Sequence, residues 1–230
     1  MSHSNLVTYV KLSPNCTSPR TQKIDTVTIH MVVGQASVES LGALFANPER
    51  QASSNYGIGS DGRIACFVEE EDRSWCTGSR ENDHRAITIE VASDTKPPYA
   101  VNEKAFAALL DLLEDICRRH DLRLHYTGDK TGNMTLHKWF QATDCPGQFL
   151  EERHSAIAAE VNRRLDQSSS APSDDACHCE GACACGNPSS ADDQPNLYRV
   201  QAGAFRDRKN AIAHVAKLKA AGFDAFIQPN

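Results

Sequence analysis

The residues best suited to metal chemistry lie in one stretch, TLHKWFQATDCPG, over residues 135–147. His137 and Cys145 stand eight positions apart, and the Pro-Gly pair after the thiol predicts a turn. Neutral imidazole and thiolate are both good ligands for Zn²⁺, and a catalytic zinc site has three protein ligands and one position for water. This pair supplies two ligands. The third must come from elsewhere in the chain, and His30 is the best candidate.

His30 lies in a segment with alternating apolar residues, IDTVTIHMVV. The positions of Val27, Ile29 and Met31 predict a β-strand buried on one face, so His30 points to the opposite face. A histidine in a half-buried strand more often bonds a backbone carbonyl than a metal. The spacing alone therefore leaves both interpretations open.

A second strand is predicted at RAITIEV, where Ile87, Ile89 and Val91 fill one face. Glu90 then lies on the polar face, as His30 does in its own strand. If the two strands are neighbours, a carboxylate and an imidazole share one site. A carboxylate beside a metal-bound water can take up its proton and pass it to a leaving amine.

Four segments in this order, IDTVTIH, SSNYGIGSDGRI, RAITIEV and LHKWFQATDCPG, resemble the zinc N-acetylmuramoyl-L-alanine amidases. That family includes phage endolysins, wall-recycling amidases and animal peptidoglycan recognition proteins. The resemblance covers about residues 22–165. It implies an α/β fold with a central mixed β-sheet flanked by helices. It also implies hydrolysis of the amide between N-acetylmuramic acid and L-alanine in peptidoglycan, with Zn²⁺ held by His30, His137 and Cys145.

The same resemblance implies roles for three further side chains. Recycling-type members carry a glutamate at the end of a similar strand, so Glu90 is the expected general base. Tyr56 opens a predicted hairpin, and in many members a tyrosine here lies beside the metal, although most strand tyrosines only pack. Thr143 stands where several phage amidases have a lysine that stabilises the oxyanion. Many active recognition proteins have a threonine there, so Thr143 is compatible with activity.

Asn55, Trp75 and Trp139 are expected at the rim, in contact with sugar or peptide. An alternative function is a non-catalytic peptidoglycan-binding module, because some recognition proteins hold the stem peptide without cutting it. Those members typically lack the cysteine ligand, which this chain keeps as Cys145. A third interpretation, a metal-buffering protein, accounts for a cysteine cluster near the C-terminus but for none of the folded domain.

Composition excludes several classes of partner. The net charge is −6 over 230 residues without a basic cluster, which argues against nucleic acid. No apolar run reaches the length of a membrane span, and the start lacks the pattern of a secretory signal. We therefore expect a cytoplasmic phage or prophage endolysin that reaches the wall after release by a holin or by lysis. Without a signal, the cysteines do not predict a disulfide framework, and Cys16, Cys66, Cys76 and Cys117 are expected to be buried hydrophobes.

Several elements must position these residues. Residues 1–21 show no sustained period and predict an extended arm. Apolar residues at helical spacing predict helices over 37–46, 102–120 and about 148–165. The acidic run 69–72 is expected to be exposed.

The C-terminal part differs in composition. Residues 166–196 are rich in Ser, Ala, Pro, Asp and Gly, which predicts a flexible linker. The cysteines between Cys177 and Cys185 could bind a soft metal, form intermolecular disulfides or remain inert. Residues 197–230 predict a βαβ unit, with Ile212 and Val215 facing inward, that resembles half of a SPOR domain, a glycan-binding module. Half a sheet has unpaired edges, which favours a homodimer through this tail.

Overall fold

The computed structural model describes residues 3–169, together with Ile212 and Val215. The chain divides into two compact units, Met1–Asp174 and Asp175–Asn230. The predicted linker and the rest of the SPOR-like tail lie outside the described residues, apart from the few before residue 170. Ile212 and Val215 are helical as predicted, but Ile212 is 50% exposed rather than inward. No described helix combines the length and apolar character that crossing a bilayer requires.

The first unit is built on a six-stranded sheet with the order β1-β5-β4-β7-β3-β8. Neighbouring strands run parallel except for the β4–β5 hairpin, so the sheet is mixed and mostly parallel. Its strands are β1 Val7–Val10, β3 Thr26–Val33, β4 Tyr56–Ile58, β5 Ile64–Cys66, β7 Ala86–Ser93 and β8 Met134–Thr135. A separate two-stranded sheet pairs β2 Cys16–Thr17 with β6 Arg73–Ser74.

Helices cover both faces of the central sheet, which confirms the predicted fold class. They are α1 Val38–Ala46, α2 Arg80–Arg85, α3 Glu103–His120, α4 Gln148–Glu151 and α5 His154–Ser169, with short 3₁₀ turns at Pro48–Arg50 and His137–Trp139. The predicted helix over 148–165 is therefore two helices, and the second runs on to Ser169. Asn102 caps α3 by accepting a hydrogen bond from the backbone N–H of Ala105.

The apolar alternation of the strands divides the core into two layers. One face of the sheet packs against α3 and α5 and buries Ile29, Ile89 and Leu113 completely or nearly so. The other face holds a smaller cluster that includes Leu41 and Phe67 beneath α1. Each fully buried aliphatic side chain contributes about 1.5–3 kcal/mol to folding. Packing in the larger cluster therefore fixes which face of each strand points towards α3 and α5. The polar residues on the opposite face are left available for a site.

The N-terminal arm differs from the prediction. Val7–Val10 forms an edge strand parallel to β5, and Cys16–Thr17 pairs with Arg73–Ser74. The sequence concealed β1 because its residues are only half-buried or exposed, which is usual for an edge strand and leaves a weak alternation. The arm therefore belongs to the sheet instead of lying upon it.

Candidate metal centre and active site

His30 and Glu90 lie side by side on neighbouring strands. β3 and β7 pair in parallel with these two residues in register, so their side chains leave the same face of the sheet. On the other side of Glu90 the register partner is Gly57 of β4. A Cβ added at Gly57 would meet the Phe67 ring at 2.4 Å, so the strand needs glycine here. The two strands predicted to carry His30 and Glu90 are therefore neighbours in the sheet.

The remaining donors reach His30 from the segment after β8. Because β8 pairs with β3, the following turn carries His137 to a ring-centroid distance of 4.9 Å from His30. The chain then returns, and Cys145 Sγ lies 3.3 Å from His30 Nδ1. One donor atom from each of His30, His137 and Cys145 lies within 4.8 Å of the other two. The fold thus brings together all three residues that the sequence singled out.

The chemistry of this trio fits a zinc ion. Burial, and to a smaller extent His137, lowers the pKa of His30 well below its usual value, so the ring is neutral and able to bind metal. Its Nε2 is buried and has no hydrogen-bond partner among the described residues. Burial, followed by the nearby Glu90, raises the pKa of the Cys145 thiol, so metal binding must release its proton. Two imidazoles and one thiolate form a donor set known from catalytic zinc.

Glu90 is the only carboxylate among the residues that line the cleft beside this trio. Burial raises its pKa to about 8, against an opposing effect from Arg50. Its Oε1 lies 3.9 Å from Cys76 Sγ, while Oε2 is buried without a hydrogen-bond partner in the described part of the chain. A carboxyl with this pKa can accept and release a proton near neutral pH.

The cleft that Glu90 and His137 line has a volume of about 350 Å³. Its lining includes the exposed apolar residues Val33 and Leu44 together with Trp75. Trp75 also borders a second cleft of about 180 Å³, and its indole N–H donates to Thr17 Oγ at 2.9 Å. Trp75 therefore lines both clefts, and its contact with sugar or peptide stays a prediction.

The other predicted rim residues are placed differently. Asn55 is completely buried, and its amide bonds backbone carbonyls including that of Val68, so the prediction that it contacts substrate is wrong. Trp139 stacks on Tyr126 at 6.2 Å between ring centroids and borders neither of these two clefts. Thr143 is exposed, and its hydroxyl accepts a hydrogen bond from the Cys145 backbone N–H at 3.2 Å. Thr143 thus holds the chain next to the thiol.

Tyr56 does not lie beside the His30, His137 and Cys145 trio, contrary to the prediction. Gly57 of β4 pairs with Glu90, so a side chain at position 57 would lie on the same face of the sheet as Glu90. Its neighbour Tyr56 therefore points to the opposite face, where it is completely buried. Its hydroxyl donates to Glu70 Oε1 at 2.5 Å and accepts from the Ser4 backbone N–H at 2.9 Å. A fixed alternation of strand faces decides this placement. The hydroxyl therefore cannot assist at the metal.

The partner of Tyr56 corrects a second expectation, because Glu70 belongs to the acidic run that was expected to be exposed. Glu70 is 3% exposed and forms ion pairs with Arg119 at 2.5 Å and His120 at 2.8 Å. Burial would raise its pKa, but hydrogen bonds from His120, Arg119 and Tyr56 outweigh it and bring the pKa to about 2. This network anchors α3 to the N-terminal region and serves structure.

Two cleft residues were not identified from the sequence. Cys76 was expected to be only a buried hydrophobe, yet its thiol lies beside Glu90 and lines both clefts. Arg50 ends the 3₁₀ turn ahead of β4 and also lines the larger cleft. The only available signal was proximity, since Cys76 follows Trp75 and Arg50 precedes the SSNYGIG motif. Proximity in sequence does not show which way a loop side chain points.

The fold and the donor trio define an α/β protein with a candidate hydrolytic metal centre. The family model described as N-acetylmuramoyl-L-alanine amidase matches residues 20–148, more than half of the chain. The chain therefore belongs to the N-acetylmuramoyl-L-alanine amidase family, as the motifs indicated. A SPOR domain model matches residues 191–230. No curated protein matches the chain.

Solved structures show the same fold. The Staphylococcus aureus hydrolase AmiA, solved with its ligand, is 14% identical with a TM-score of 0.55, over 70% of this chain and 84% of its own. A mutant endolysin from Bacillus subtilis is 20% identical with a TM-score of 0.52, over 66% and 97%. An AmpD derivative is 20% identical with a TM-score of 0.51, over 69% and 99%.

Proposed function

We propose that this chain is a zinc-dependent amidase that cleaves the bond between the lactyl group of N-acetylmuramic acid and L-alanine of the stem peptide. The observation that carries the proposal is the convergence of His30, His137 and Cys145 within 4.8 Å, beside Glu90 in an open cleft. Family membership supports the bond and the polymer. The donor set supports the metal.

The side chains divide the work of hydrolysis. His30, His137 and Cys145 would hold the zinc ion, which when bound polarises the scissile carbonyl and lowers the pKa of a water. Glu90 takes a proton from the attacking water and delivers it to the leaving nitrogen of L-alanine. The apolar residues of the cleft and Trp75 exclude bulk water and orient the substrate.

Purified cell walls provide the direct test. The full chain loaded with Zn²⁺ is expected to release stem peptides with new L-alanine amino termini without creating new reducing ends, because the amide and no glycosidic bond is cut. A chelator should stop the release, and added zinc should restore it. Binding to walls without new amino termini would instead favour the non-catalytic binding module. Activity that persists after complete metal removal would contradict the zinc requirement.

We also propose that the chain acts as a phage or prophage endolysin. A mutant endolysin from Bacillus subtilis shares its fold, and the motifs resemble those of phage amidases. An endolysin made inside a cell should be harmless until the membrane is opened. Bacteria that express this chain are therefore expected to lyse only when a holin is expressed with it. Lysis by the chain alone, at equal expression, would contradict this role.

The SPOR-matching tail, residues 191–230, supports a second contact with peptidoglycan. We propose that it binds glycan and that two such tails pair to form a homodimer. Two linked binding sites raise residence on a polymer through effective concentration.

Deleting residues 175–230 is expected to leave hydrolysis of a soluble muropeptide intact, to weaken retention on whole sacculi several-fold and to shift the protein towards monomer. The cut falls after Asp174 because α5 extends to Ser169 and Arg123 forms an ion pair with Asp166 on that helix. A sacculus pull-down and sedimentation of both forms measure these effects. Equal retention of the shortened chain would show that the tail has no wall-binding role, and a sedimentation-equilibrium mass of one chain for the full-length protein would contradict the dimer.

A further inference from the structure

The cleft that contains Glu90 is also lined by one cationic side chain. Arg50 is the only lysine or arginine among the described residues that line it. The chain as a whole carries a net charge of −6, whereas the lining of this cleft has one arginine and one glutamate, Glu90. A guanidinium binds carboxylates through two parallel N–H donors. The feature thus points to an anionic group on whatever fills the cleft.

Arg50 is available to such a group. Within residues 3–169 its guanidinium makes no hydrogen bond or ion pair, whereas most arginines there bond a carboxylate or a backbone carbonyl. Its charge still reaches Glu90, whose pKa it lowers against the effect of burial. An arginine kept beside the proposed base without a partner of its own is placed to meet substrate.

The backbone holds Arg50 in position. The 3₁₀ turn begins at Pro48, whose ring fixes φ, and Asn47 caps it by accepting a hydrogen bond from the Glu49 N–H at 3.0 Å. Gln51 closes the turn in the left-handed region at φ 53° and donates its N–H to the Pro48 carbonyl. A side chain presented from a fixed turn loses less freedom on binding than one on a mobile loop.

We propose that Arg50 binds the free carboxylate of the residue that follows L-alanine in the stem peptide, and so selects stems with that carboxylate over stems in which it is amidated. This inference rests on the proposed amidase function. The second stem residue follows the scissile amide at about 3.5 Å per residue along the peptide, and the cleft of about 350 Å³ that Glu90 and Arg50 both line has room for it. An amide at that position offers no charge and cannot accept the guanidinium fork as well.

The test uses the full-length, zinc-loaded protein and two muropeptides that differ only at the second stem residue, D-glutamate or D-isoglutamine. The wild type is expected to show kcat/KM about tenfold or more higher for the glutamate form, since a charge-assisted pair replaces a neutral contact. Arg50→Gln should reduce this preference to within about twofold, mainly through KM. Arg50→Lys, which keeps the charge but not the fork, should retain part of it. High salt should weaken the preference of the wild type.

Arg80→Gln is the matched control. Arg80 is also exposed and unpaired within residues 3–169, but it lines neither cleft, so its loss should leave the preference unchanged. Equal hydrolysis of both muropeptides by the wild type, or an unchanged preference in Arg50→Gln, would overturn the inference. Weaker product inhibition by N-acetylmuramic acid in Arg50→Gln, with the stem preference unchanged, would also overturn the inference. Arg50 would then bind the carboxylate of that product instead of the stem carboxylate.

Failure of the inference and failure of the proposed function give different results. If neither the muropeptides nor whole walls are cut, the amidase function itself is contradicted. If both muropeptides are cut equally well, only the proposed role of Arg50 is contradicted. If walls are cut but the short muropeptides are not, their equilibrium binding to wild type, Arg50→Gln and Arg80→Gln is compared, with the same expected preference.

Discussion

Replacing Cys145 with serine is expected to remove stoichiometric zinc from the protein and to abolish the formation of new L-alanine amino termini in cell walls. The thiol lies 3.3 Å from His30 Nδ1 and is the one sulfur of the His30, His137 and Cys145 trio, and a serine hydroxyl is a poor substitute for a soft thiolate ligand. Loss of an outer partner of a metal ligand lowers affinity about 10–100-fold, and loss of the ligand itself should exceed that. Zinc content and wall hydrolysis, measured on the same sample, check the result.

The control replaces a cysteine that is remote from the site. Cys117 is 1% exposed in α3, within the layer on the opposite face of the sheet, so Cys117→Ser should keep both zinc and activity, with some loss of stability from a buried hydroxyl. Both variants are best made in a chain whose cysteines from Cys177 to Cys185 are serine, so that metal bound there is not counted. Full zinc and full activity in Cys145→Ser would contradict the donor set.

Glu90→Gln is expected to lower kcat by about 10² or more while zinc remains bound. The amide has nearly the same shape as the carboxyl group but cannot take up the proton of the attacking water, and general base catalysis contributes about 10²–10⁴-fold. Stability should not fall, because a buried carboxyl with no partner for Oε2 is replaced by a neutral group. Steady-state kinetics, zinc content and thermal unfolding of one preparation separate these effects.

The structure changes the result that is expected for Tyr56→Phe. On motif resemblance alone the hydroxyl would assist at the metal, but it donates to Glu70 on the far side of the sheet. Its removal should therefore lower the free energy of unfolding by about 1–3 kcal/mol and leave kcat nearly unchanged. A larger loss of kcat at Tyr56 than at Glu90 would reverse the assignment of the base. An unaffected kcat in Glu90→Gln would do so as well.

Much of the scaffold could be predicted because its signals are local. Helix α3 carries its own cap at Asn102 and a continuous apolar stripe, and the β4–β5 hairpin has Gly62 at φ 85° in its turn. Edge strand β1 escaped prediction because only one of its sides is covered. The run containing Glu70 was misjudged because charge predicts exposure only when no opposite charge is brought against it.

The sequence by itself determined the chemistry of the donors and the faces of their strands, since residue type is explicit and a period of two assigns His30 and Glu90 to the polar side of β3 and β7. Tertiary structure alone decided which strands are neighbours, and hence that His137 and Cys145 close on His30 from more than a hundred residues away. The tertiary structure also decided that Tyr56 points away from the site and that Arg50 lines the cleft. Local periodicity reports the orientation of a side chain relative to its own strand, whereas the site depends on distances between segments, which only packing of the whole chain sets.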